Sequence, residues 1–146
     1  MKRVLLFLSV LIAVCLAPAK LPAAETDQEV EARKAALDLA GAFSNDEFKM
    51  RDGHWSGTIK PHDHILVAVN LYAGNQYWFC VGTPDAATKL AISVYDETGK
   101  QVTTEPYDNG NKVAAGFSPT TSGQYYVWIG LTEGSESSVC LVYSYK

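Results

Sequence analysis

The clearest candidates for chemistry are three histidines. His62-Asp63-His64 forms one cluster, and His54 lies eight residues upstream. On an extended segment, residues two apart share a face, so His62 and His64 could ligate zinc with His54 beside them. Pro61 and Asp63 give the competing reading, a turn entering a strand with its histidines solvated. Carboxylate pairs such as Asp85 with Asp96, or Glu133 with Glu136, offer the residue types of a glycosidase. Both pairs fall in expected turns, where solvated carboxylates are ordinary. No G-x-S-x-G elbow is present, and Ser118, Ser122 and Ser144 have no distinctive surroundings. No phosphate-cradling loop appears. On this reading the catalytic set is empty, no cofactor is implied, and a metal site would have to use His54, His62 and His64.

Cysteines and aromatics are the other groups with something to offer. The chain has three cysteines, Cys15, Cys80 and Cys140. Lys2 and Arg3, an apolar run over residues 4–16 and the exit Ala17-Pro18-Ala19 match a secretory leader over residues 1–19, with cleavage conceivable as late as Ala24. The run is shorter than the roughly 20 residues a bilayer span needs. Cleavage would remove Cys15 and leave an even pair, for which an exported chain favours a Cys80–Cys140 disulfide. Two separate buried thiols are the alternative. Trp55, Trp78, Tyr126 and Trp128 are the candidate binding residues. If a sheet face shows Trp78, Trp128 and a tyrosine, it can stack on sugar rings or on a partner protein. The competing reading is a core, or a second core beneath a helix.

Charge narrows the partners. The chain carries 12 basic and 16 acidic residues. Loss of Lys2 and Arg3 would leave 10 against 16, a net charge of about −6 with no basic run. Nucleic acid and anionic membrane surfaces are poor partners for such a chain.

The elements that must position these residues are mostly strands. Residues 20–52 read as a lead-in and one short helix, capped at Thr26 or Asp27, beginning near Glu29 and ending by Asn45-Asp46. Its apolar stripe runs through Ala32, Ala36, Leu39 and Phe43. Residues 53–146 read as one domain of strand-like runs over 55–59, 65–72, 76–81, 90–95, 112–117, 125–131 and 139–145, separated by turn residues. Seven to eight strands without crossover helices imply an all-β fold, an antiparallel sandwich or jelly roll.

Several of these runs, in their order, resemble the bacterial pre-peptidase C-terminal domain. Gly74-Asn75-Gln76-Tyr77-Trp78-Phe79 is similar to that family's G-x-x-Y-x-F strand entry. Residues 90–100, LAISVYDETGK, resemble its L-x-L-x-V-Y-D-x-x-G strand and turn. Residues 117–127, FSPTTSGQYYV, resemble F-x-P-x-x-x-G-x-Y-Y-V, and Trp55-Ser56-Gly57-Thr58-Ile59 is similar to a first strand. The resemblance covers about two-thirds of the chain and implies a secreted β-sandwich accessory module. Many relatives carry acidic residues before the L-x-L strand that could bind calcium. Here Asp85-Ala86-Ala87-Thr88-Lys89 has one carboxylate, too few for that cation, so calcium is not expected.

The functional expectation is an exported, non-catalytic binding or accessory module, periplasmic or extracellular, with a glycan or an envelope or partner protein as ligand. The alternative is a small secreted metal-dependent hydrolase built on His54, His62 and His64. A third possibility is a structural or inhibitory envelope protein acting through its fold alone.

Overall fold

A computed structural model describes residues 23–43 and 47–146. The leader expected over residues 1–19, with Cys15, lies outside them. Helix α1 spans Asp27–Phe43. Thr26 caps it: the Glu29 N–H donates to Thr26 Oγ1 at 3.2 Å, and the Glu29 carboxylate accepts from the Thr26 N–H at 2.7 Å. Both partners satisfy donors that the helix start would otherwise leave unpaired. The Thr26 N–H, then the Thr26 hydroxyl donating at 3.0 Å, hold the Glu29 carboxyl below its ordinary range.

Nine strands follow among the described residues: β1 (Lys49–Met50), β2 (Trp55–Ile59), β3 (His64–Leu71), β4 (Tyr77–Gly82), β5 (Lys89–Tyr95), β6 (Glu105–Asp108), β7 (Lys112–Phe117), β8 (Gly123–Glu133) and β9 (Ser137–Tyr145). All the strand pairs are antiparallel. One sheet runs β1-β9-β4-β7-β6, with β2 also paired to β9; the other runs β3-β8-β5. The all-β sandwich expected from the spacing of the runs is therefore observed, with β1 and β6 added. Residues 105–108 are not among the expected strand runs, and they include Pro106. Proline is tolerated there because β6 is an edge strand with β7 as its single neighbour.

Alternation along the strands fills the space between the sheets. Tyr77, Phe79 and Val81 of β4 meet Tyr125, Val127, Ile129 and Leu131 of β8, with Leu71, Val94, Val139 and Leu141 completing the core. A second, smaller core lies on the outer face of the larger sheet. There Ala32, Ala36, Leu39 and Ala40 of α1 cover Cys80, Ala114, Cys140 and Val142. A helix of this length is marginal alone, so this surface is what stabilises it. Its small side chains let it approach closely: a Cβ at Gly82 would stand 2.6 Å from the Ala36 nitrogen and 2.8 Å from the Ala35 carbonyl carbon. The result is three layers, helix on large sheet on small sheet, with the outer face of the small sheet left to solvent.

The expected disulfide is absent. Cys80 and Cys140 are both buried free thiols. Register explains this: Cys80 stands opposite Val142, and Cys140 opposite Gly82. The cysteines are therefore diagonal neighbours on one face, with side chains about 7 Å apart and both perpendicular to the sheet. A bridge needs Cβ atoms near about 3.8 Å.

Candidate functional site

The three-stranded sheet turns Tyr125, Val127 and Ile129 of β8 inward, so Tyr126 and Trp128 face out. Beside them stand Leu66 of β3, 57% exposed, and Tyr95 of β5. Register sets this group: Trp128 lies between Leu66 and Ser93, and Tyr126 between Ala68 and Tyr95. The Trp128 six-membered ring sits over Gly130, where any side chain would collide with it. His64, opposite Gly130, stacks against the same indole with centroids 5.5 Å apart and planes 24° apart. The indole is thus laid along the sheet, supported beneath by glycine backbone and at one side by imidazole, and remains half-buried.

Leu66, Tyr95, Tyr126 and Trp128 line a shallow depression of about 460 Å³, rimmed by Glu97, Thr98 and Gly99. The rim is a firm turn. Asp96 accepts from the Thr98 hydroxyl at 2.6 Å, the Thr98 N–H at 2.9 Å and the Lys100 N–H at 3.0 Å, and Gly99 takes φ 81°. The Thr98 hydroxyl, then the Lys100 amide, hold the Asp96 carboxyl below its ordinary range. On the other side of this turn lies a more polar cleft of about 530 Å³, which includes Lys100, Gln101, Thr120 and Gln124. Gln124 Oε1 accepts the Tyr126 hydroxyl at 2.9 Å, tying the two depressions together. An apolar aromatic floor with a few fixed polar groups at its margin is the usual composition of a small-ligand site.

The other expected site residues go elsewhere. Trp78 and Trp128 do not share a face: Trp78 points from the large sheet towards α1 and stacks on Phe43, with centroids 4.2 Å apart and planes 9° apart. A joint Trp78–Trp128 surface is thereby excluded, because the two rings belong to opposite outer faces of the sandwich. Trp55 is half-buried against the inter-sheet core. The histidines are not brought together either. His54 Nε2 stands 3.7 Å from Glu25, which pairs with Arg33 at 2.8 Å. His62 takes φ 62°, so the alternation that would have aligned it with His64 is broken. Among the described residues no group of three or more His, Cys, Asp or Glu is placed to hold a metal ion. Members of the carboxylate pairs have other partners: Asp85 accepts the Ala87 N–H at 2.9 Å, and Glu133 pairs with Lys89 at 2.7 Å.

No family model matches this chain, and no curated protein does.

Two members of the site escaped the sequence reading. Leu66 stood in a strand apolar on both faces, and Tyr95 was one aromatic among many rather than a named binding candidate. Their parity relative to half-buried Val67 and buried Val94 carried the signal, once it was known which sheet each strand joins.

Proposed function

We propose that this protein is an exported, non-catalytic binding module that takes a glycan on the outer face of its three-stranded sheet. The observation that carries the reading is the Trp128 ring held over Gly130 between Leu66 and Ser93, with Tyr126 and Tyr95 beside it. A pyranose presents an apolar C–H face that can lie on such a ring and hydroxyls that can reach polar groups at the margin. Gln124, Lys100 and Gln101 supply those groups at the neighbouring cleft. The likeness of residues 74–79, 90–100 and 117–127 to pre-peptidase C-terminal domains supports an accessory rather than a catalytic role. A hydrolase built on His54, His62 and His64 has no comparable support, since those side chains diverge.

A glycan array probed with the chain from residue 20 onward, beside its Trp128→Ala variant, tests the reading. Retention of one glycan class by the parent and its loss in the variant, with thermal unfolding nearly unchanged, is the expected result. No retained glycan, or equal retention by both, would remove the proposal.

A further inference from the structure

The small sheet has two edges, and they are treated differently. The β5 edge is covered by its own chain: the Val102 N–H donates to the Val94 carbonyl at 2.9 Å, and the Leu90 N–H to the Gly110 carbonyl at 3.0 Å. The β3 edge has no such cover among the described residues, because β3 pairs with β8 alone. Edge β6 of the large sheet carries Glu105, Pro106 and Asp108, residues that discourage strand addition. β3 carries none of these guards. Its sequence, His64 to Leu71, has no proline, no glycine and no carboxylate across its eight residues.

Ladder parity shows which groups are open. The Leu131 N–H donates to the Asp63 carbonyl, so odd-numbered β3 residues bond to β8 and even-numbered ones point their N–H and C=O away. The His64 N–H, which is outward, is taken instead by the Asp63 carboxylate at 2.8 Å, a cap that closes one end of the edge. Leu66, Ala68 and Asn70 present the rest. Beneath this edge lies a crevice of about 230 Å³ between Val67 and Val69 on one wall and Trp55, Leu141 and Tyr143 on the other.

We propose that β3 is a strand-addition edge and that its occupant is β3 of a second copy of this chain, antiparallel about a two-fold axis at Val67. That register places Leu66 beside Ala68 of the other copy, large against small, and His64 beside Asn70, imidazole against amide. No like charges meet. The Leu66, Ala68 and Asn70 N–H groups of each copy find carbonyls, and the inward-facing Val67 of each copy enters the region of the crevice. Self-pairing is favoured over an unrelated peptide because one register satisfies both the polar and the apolar positions of β3. The product is a continuous six-stranded sheet with both aromatic faces on one side. Strand spacing of about 4.8 Å and a rise of about 3.4 Å put the two Trp128 positions roughly 16 Å apart.

Sedimentation equilibrium combined with hydrogen exchange tests this without any ligand. A dimer is expected, with Leu66, Ala68 and Asn70 amides gaining protection as concentration rises while amides of β6 do not. Ala68→Pro removes an outward N–H and leaves the β8 ladder intact, so it should give a folded monomer. Leu66→Lys, at an exposed position, should weaken dimerisation roughly tenfold or more. A chain that stays monomeric up to roughly 1 mM, or a dimer whose protected amides lie outside β3, would overturn the proposal. So would a monomer that gains the β3 protection only on adding an unrelated extended peptide.

Discussion

Gly130 and Trp128 show how one residue prepares the site for another. With no Cβ at position 130, the indole can rest on backbone; a valine there would overlap the ring atoms. Gly130→Val is therefore expected to displace the half-buried indole rather than the buried strand. The fold should survive, tryptophan emission should shift to the red, and under the proposed glycan reading affinity should fall by about 1 kcal/mol, the scale of one aromatic contact. Fluorescence and calorimetric titration of the same sample check this. The buried thiols have a consequence at high pH. Burial pushes the Cys80 thiol up to about 12 from 9.0, and burial also raises Cys140 and Tyr143. In each case the folded chain holds its proton above the pH at which the unfolded chain releases it. Their contribution is complete below the unfolded values and is lost as pH rises towards the folded ones. Each fully released proton steepens the loss by about 1.4 kcal/mol per pH unit. Urea midpoints should therefore fall between pH 9 and 12, and Cys80→Ala should flatten that fall. An unchanged slope in the variant would show that Cys80 is not responsible.

Among the elements, α1 depends most on close approach. Gly82→Ala would set a Cβ against the backbone of Ala35 and Ala36, which cannot move without moving the helix. Overpacking of this kind costs about 1–3 kcal/mol. The variant should also speed thiol labelling of Cys80 and Cys140, since α1 covers both. Thr26→Ala removes the cap at a cost of about 1 kcal/mol and should speed labelling by the same route. Denaturant melts paired with labelling rates measure both effects. The helix was legible in advance because Thr26 or Asp27 could cap it and the alanine stripe is periodic. Strands β2 and β7 kept their expected limits because turn residues bracket them. β6 was not legible, since a short edge strand with a proline looks locally like a turn. The division of the tryptophans was hidden for another reason. Alternation tells which side of its own strand a side chain takes, but Trp78 and Trp128 separated because β4 and β8 joined different sheets. The cysteine pairing failed on the same kind of information: two residues of register on β4 and β9, invisible from either strand alone.

At the scale of the whole molecule, β9 is the piece on which the others converge. It bonds to β1, β2 and β4, supplies Val139 and Leu141 to the inter-sheet core, and places Cys140 and Val142 beneath α1. It also follows the other eight strands in sequence among the described residues. Time enters here. During synthesis α1 emerges early, yet the floor it rests on is incomplete until residues 137–145 arrive. β1 and β2 wait for the same strand, while β3, β5 and β8 can already associate. A chain truncated before residue 137 should thus leave α1 open to protease, and one that includes residues 137–145 should close it. Closure of the helix layer is a gate released by β9.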